Sequence, residues 1–138
     1  MSLFNIFDVA GSGMSAQSVR LNTTASNIAN ADSVSSSVDK TYRARHPIFE
    51  AEMAKATQMQ GSSQSVAVKG IVESDAPLIK EYSPDHPMAD TDGFIYKPNV
   101  NVMEEMADMI SASRSYQMNV QVADAAKSML QQTLRMGK

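Results

Sequence analysis

The stretch whose residue types come closest to a metal-binding loop is Asp90-Thr91-Asp92-Gly93, which matches the middle of a calcium-binding EF-hand loop. Counted from Gly93, however, position one falls on Met88 and position twelve on Asn99, where carboxylate ligands are required. A turn held by Asp side chains accounts for the same residues and is the expectation. His46 and His86 are each followed by Pro and lie far apart, without an i+4 partner or zinc-motif spacing, so they read as loop residues. Glu104 and Glu105 are adjacent and therefore point to different sides of a helix. They fit the start of a helix dipole and not a paired acid and base. Gly11-Ser12-Gly13 lacks the spacing and the following Lys of a phosphate-binding loop. The chain has no Cys, which excludes disulfides, thiolate catalysis and cysteine metal sites. The expectation is therefore no enzyme: no catalytic, cofactor-binding or metal-ligating residues, and no cofactor.

What does repeat is apolar spacing. From Asn99 to Gly137, steps of four and three residues pick out Val102, Met106, Met109, Ser113, Tyr116, Val120, Ala123, Lys127, Leu130 and Leu134. Apart from Ser113 and Lys127 these are apolar or aromatic, the heptad seam of a coiled coil. Asn101 is placed to cap the first turn with Glu104 three residues on, Glu105 and Asp108 suit the positive end of the dipole, and Gly137 is the natural stop. A helix of this span is roughly 50 Å long, whereas a compact globule of this chain length has a radius of gyration of about 14 Å. The helix must project, and its seam needs a partner. Ser113 and Lys127 either interrupt the seam by chance or restrict register and partner, and Tyr116 carries a polar tip for a facing surface.

Residues 1–31 read as a second helix, with Phe7, Met14, Leu21 and Ile28 one heptad apart. Gly11 and Gly13 each cost roughly 1 kcal/mol inside a helix, so fraying, a kink or a separate start near Ser12 is expected. Between Met1 and Ala31 the only charged side chains are Asp8 and Arg20; the remaining polar residues are Asn, Ser, Thr and Gln. Small amides and hydroxyls suit a helix with neighbours on several sides, bonding across contacts without the desolvation cost of a buried charge. Asn27 and Asn30, about one turn apart, are candidates for such bonds, with helix C-capping as the rival role of Asn30.

The middle, residues 32–98, reads as a β-rich insert. A Ser-rich loop from Asp32 to Asp39 leads to a strand over Thr41–Phe49, with Pro47 demoting it to an edge. Residues 50–60 are ambiguous and Gly61–Ser65 read as a turn or linker. Val66, Val68, Ile71 and Val72 make a strand interrupted by Gly70, with Pro77–Tyr82 a possible partner, and Phe94-Ile95-Tyr96 is a short extended segment. The fold class is α+β, with an N-terminal helical region (1–31), the insert (32–98) and a C-terminal helical region (99–138), the two long helices packing as a coiled coil.

The 138 residues amount to one domain, with net charge −3 and pI about 5.3. Without a Lys/Arg cluster the chain does not fit a nucleic-acid binder. No run approaches the ~18 apolar residues that cross a bilayer, so no membrane insertion is expected, and the start lacks the pattern of a cleaved secretory signal. Met is abundant, 11 residues in all, which supplies adaptable packing and suits contacts that vary between neighbouring copies.

These residues also carry a resemblance. Ser26-Asn27-Ile28-Ala29-Asn30 resembles the Asn-hydrophobic-Ala-Asn signature of the flagellar rod and hook axial proteins. Pro98-Asn99-Val100-Asn101-Val102, Glu104-Glu105-Met106 and Met109 through Gln117 resemble the C-terminal helix of proximal-rod members of that family, as do Leu3 to Gly13, Ala31-Asp32-Ser33-Val34, Tyr42-Arg43-Ala44 and the segment from His86 to Pro98. Departures fall at Ser33, at Phe94 after Gly93, and at Met118, where relatives carry Thr, Tyr and Ala. The resemblance implies a structural subunit of the basal-body proximal rod. Such a subunit is exported unfolded by the flagellar type III apparatus without a cleaved signal and assembled in the periplasm into a hollow, torque-transmitting shaft. Implied neighbours are copies of itself, the B- and F-type rod proteins and the export-gate adaptor. The competing class is a soluble coiled-coil adaptor or export-associated binding module that clasps one partner. The adaptor predicts a defined dimer or heterodimer, whereas the rod reading predicts a monomer whose terminal helices are incompletely ordered, because ordering costs roughly 1 to 2 kcal/mol per residue and a lone subunit buries little.

Overall fold

The computed structural model describes residues 3–53 and 64–137. Their order is helix α1 (Leu3–Asn30), a single 3-10 turn (Val38–Lys40), strands β1 (Arg45–Met53), β2 (Gln64–Glu73), β3 (Ile79–Tyr82) and β4 (Phe94–Lys97), and helix α2 (Val102–Met136). This is the expected α+β arrangement, two long helices with a small antiparallel insert between them.

Helix α1 runs through both glycines without a break. The reason at Gly13 is tertiary: a Cβ there would stand 2.7 Å from Asn119 Nδ2 of α2, so the missing side chain admits the second helix. The polar surface of α1 is satisfied largely from within. Thr23 Oγ1 donates to Val19 O (2.8 Å), Thr24 Oγ1 to Leu21 O (3.0 Å) and Ser26 Oγ to Asn22 O (2.9 Å). Thr23 and Thr24 are buried without needing partners on another element. Ser12 Oγ, by contrast, accepts from Val66 N of β2 (3.2 Å), a hydroxyl of α1 that does bond across to another element.

Strand β1 begins at Arg45 and not at Thr41: just before it the Ala44 main-chain N–H donates to the Asn99 side chain of the loop before α2 and not to a neighbouring strand. It pairs antiparallel with β2, from Arg45↔Glu73 to Met53↔Gln64. The register jumps between Ile48↔Gly70 and Phe49↔Val68, leaving Lys69 as the extra residue of a bulge beside Gly70; the strand is bulged there, not interrupted. Gln64 and Ser65 belong to β2, while the ambiguous and turn readings at 54–63 lie outside the described residues.

The suggested pairing of β2 with the segment ending at Tyr82 does not occur. After β2 the chain is tied down: Ser74 N donates to Ala44 O (2.8 Å), and Asn99 Nδ2 donates to Ser74 O (3.3 Å) and Ala76 O (2.8 Å). Strand β3 instead pairs with β4, Ile79↔Lys97 to Tyr82↔Phe94, and Ser35 bridges the other edge of β4 through reciprocal bonds with Tyr96 (both 3.0 Å). The β3–β4 connection closes on Asp90-Thr91-Asp92-Gly93 as a turn. Gly93 N donates to Asp90 O (2.9 Å), Thr91 N to Asp90 Oδ1 (2.7 Å), and Gly93 takes φ +77°, the left-handed region that suits glycine.

The buried apolar side chains are few and mostly small: Ala10, Ala16, Ala44, Ile95, Ala112 and Ala126. The largest side chains fully out of solvent among the described residues are Asn27 and Pro98. The centre is therefore a polar junction flanked by a close helix contact, not a large apolar core.

Candidate assembly interface

Helix α2 starts as the sequence indicates. The Asn101 side chain accepts from Met103 N (3.2 Å), Glu105 N donates to Asn101 O (3.0 Å), and two acidic residues sit in the first turn. The helix runs 35 residues, about 52 Å, and packs antiparallel along α1. The direction follows from three pairs that run oppositely in the two helices: Asn27 with Glu105, Arg20 with Asp108 (2.6 Å), and Gly13 with Asn119.

The face of α2 that meets α1 is a heptad row of small or polar residues. Glu105, Ala112 and Ala126 are buried, with half-buried Asn119 between them. That row stands beside the sequence-derived seam, whose centre is rotated from it by roughly a fifth of a turn. The seam splits. Met109, Ser113, Val120, Ala123 and Leu130 are half-buried along the flank of the contact, whereas Val102, Met106, Tyr116, Lys127 and Leu134 remain exposed. On α1, Phe7, Met14, Leu21 and Ile28 are half-buried. The physical reason is distance. Ala112 and Ala126, with Asn119 set against Gly13 between them, leave room only for small side chains in the contact, and bulky Met, Val and Leu stand to its sides.

On the other flank of the contact row stands a second run at steps of four and three: Met118, Val122, Ala125, Met129 and Met136, with Gln132 filling the remaining step. All are exposed, Met129 by 59 % and Met136 by 78 %. The same spacing rule finds this run in the sequence, where the longer first seam masks it. Helix α2 thus presents large apolar residues on both sides of a narrow self-contact.

At the α2 start, Asn27 joins three elements. It is 0 % exposed and its amide is saturated: Nδ2 donates to Arg45 O (2.8 Å) and Glu105 Oε1 (2.9 Å), while Oδ1 accepts from Arg45 N (2.9 Å) and Tyr42 Oη (2.9 Å). Asn99 repeats the device one layer away, its Oδ1 accepting from Ala44 N (2.8 Å). Asn27 therefore does bond to an adjacent helix, within its own chain. Asn30 differs: its Nδ2 turns back to Ser26 O (2.8 Å), and its carbonyl accepts from Ser33 N and Ser33 Oγ. Glu105 is 3 % exposed, and burial holds its carboxyl above the usual range; the Asn27 bond and nearby His46 pull the other way. Burial likewise raises Tyr42.

A polar groove of about 790 Å³ lies beside this junction, and its arginines are already engaged, Arg43 with Ser74 O (3.3 Å) and Arg45 with Glu73 (3.0 Å). His86 Nδ1 accepts from Met88 N (3.1 Å) in its own turn, and His46 is exposed on β1. No helix among the described residues is long and apolar enough to cross a membrane.

Two family models match the two ends of the chain: the flagella basal body rod protein model over residues 7–35 and the flagellar basal body rod FlgEFG protein C-terminal model over residues 91–136. The flagellar basal-body rod protein FlgC of Salmonella typhimurium is 46 % identical over 138 residues, covering all of both chains. The FlgC of Yersinia enterocolitica is equally similar over the same span, and that of Borreliella burgdorferi is 35 % identical over 97 % of each chain. The chain belongs to the FlgC family of flagellar basal-body rod proteins. As a FlgC-family member it is a structural rod subunit of the flagellar basal body, and it assembles with other flagellar rod proteins. The matched segments coincide with α1 and its exit and with β4 and α2, the parts of the fold that carry the helix contact and both apolar flanks.

Proposed function

We propose that this chain polymerises in the proximal rod by using the two apolar flanks of α2, together with the exposed surface of α1, as contacts for neighbouring subunits. The observation that carries the proposal is the narrow self-contact. Pairing α1 with α2 consumes a row of Ala, Asn and Glu, while Met106 and Leu134 on one flank and Val122 and Met129 on the other stay exposed. Apolar side chains in such rows are stabilised by about 25 cal/mol per Å² once covered, and two flanks suit two neighbours.

In this reading the neighbours are copies of the chain, the B- and F-type rod proteins and the export-gate adaptor. The subunit crosses the inner membrane unfolded through the flagellar type III apparatus, without a cleaved signal, and assembles in the periplasm. Its role is mechanical: a segment of a hollow shaft that transmits torque and leaves a passage for export substrates, with no catalytic step. Closely packed helices resist shear through many small contacts, each weak and collectively large.

The test is to substitute Met106→Asp and Met129→Asp, one per flank, in a strain lacking its own copy. Both side chains are exposed, so each variant should fold with an unchanged thermal midpoint and still be exported, yet form no rod and no swimming halo. Wild-type motility in both variants would overturn the assignment. A defined dimer or heterodimer of the purified wild-type chain would favour the soluble adaptor instead.

A further inference from the structure

The Asn27 junction contains one group that the fold leaves incomplete. Asn27 makes every bond its amide allows, but Glu105 receives only one of them: Oε1 accepts from Asn27, and Oε2 is buried without a hydrogen-bond partner. A carboxylate with one oxygen out of water and unbonded carries a larger desolvation cost than the neutral carboxylic acid in the same place. The group sits where α1, the start of β1 and the first turn of α2 converge, so that cost falls on the contact that seats α2.

We propose that Glu105 is a pH-sensitive latch of the α1–α2 junction: neutral, it holds the first turns of α2 against α1, and ionised, it loosens that seat. The charged groups around it have been assigned by the fold. From α1, Arg20 is committed to Asp108. From the β1 side, Arg45 pairs with Glu73 of β2 and lies 5.4 Å from the Tyr42 ring centre, which leaves His46 as the group there that opposes the neutral form when protonated. From α2 itself, Glu104 and Asp108 add negative charge that favours the neutral carboxyl. Burial is the largest influence and acts in the same direction as these two acids.

The sign follows. The folded carboxyl releases its proton at a higher pH than the unfolded one, whose ordinary value is 4.5. Below that value both states are protonated and the junction keeps its full stability. As pH rises, the unfolded chain ionises first, so the folding equilibrium constant falls by up to roughly tenfold per pH unit until the folded carboxyl has also ionised, and is then level. The device makes the helix pair tightest in acid and easier to open as the pH rises above the ordinary carboxyl range.

The experiment compares the full-length chain and Glu105→Gln by urea unfolding at half-unit steps from pH 4 to pH 8, with amide exchange followed at residues 102–109. Gln keeps the acceptor for Asn27 and removes the titration. The difference between the two profiles should show wild-type stability falling relative to Glu105→Gln as pH rises, with faster exchange in the first turns of α2. Parallel profiles would overturn the latch. If the variant does not fold, carboxyl-carbon NMR titration of Glu105 in the wild-type chain decides alone: a midpoint clearly above 4.5 supports the proposal, and one at or below it overturns it.

Discussion

Asn27 shows how much of this fold rests on single polar side chains. Four hydrogen bonds converge on a residue with no solvent exposure, linking α1 to the Tyr42–Arg45 segment and to α2. Replacing it with Ala deletes those bonds; Glu105 Oε1 then stays buried without a partner, while Tyr42 Oη and the main chain of Arg45 lie where water can reach them. Four net bonds at about 1 kcal/mol each put the destabilisation by Asn27→Ala at about 3 to 5 kcal/mol, read from the shift of the urea midpoint at unchanged slope. Asn30→Ala loses one exposed bond to its own helix and should cost under about 1 kcal/mol. Equal effects at the two positions would contradict the division of roles between them.

At the scale of elements, the pairing of α1 with α2 is decided by what is absent from the contact. Gly13 would be a flaw in an isolated helix, yet its missing Cβ is what lets Asn119 approach. The atom in the way is the far end of an Asn side chain, which can swing aside. Gly13→Ala should therefore be close to neutral, a helix-propensity gain of about 1 kcal/mol set against the displaced amide. Gly13→Ala combined with Asn119→Ala removes the obstacle and should stabilise by about 1 kcal/mol, while Gly13→Leu should cost about 1 to 3 by forcing the helices apart. A double-mutant cycle between the two positions measures the coupling; additivity would mean that the helices do not meet there.

The whole molecule has more surface than a compact one of its mass. It exposes 9799 Å², against about 7,000 Å² for an ordinary monomer of 14.9 kDa. Part of that excess is apolar and on α2, with Met106 exposed by 49 % and Met129 by 59 % after the two helices have paired. The excess also means that the isolated subunit stabilises its long helices poorly, since the contact between them buries mainly Ala methyls at ~0.8 kcal/mol each. In a dilute monomer, amide exchange should therefore be fast over residues 3–20 and beyond Leu130, and slow only near the Asn27 junction and β4. Uniform, native-like protection along both helices would contradict folding on assembly.

Much of this was legible in the residues alone, because local signals report local structure. The Asn101 cap, the long α2, the turn at Asp90 to Gly93 and the α+β order all follow from periodicity and turn chemistry that act within a few residues. The segments Ser26 to Asn30 and Pro98 to Gln117 are enough to point to the rod family. The tertiary structure alone decided which face of each helix is spent internally. Heptad spacing marks where apolar residues line up but carries no preference between two parallel stripes, and closeness of approach selected the alanine row instead of either. It likewise decided the partner of β2, fixed by Asn99 anchoring the chain after Glu73, and the burial of Glu105, which sequence reads as a surface cap. Contacts between residues 78 positions apart, such as Asn27 and Glu105, leave no periodic trace in the chain that forms them.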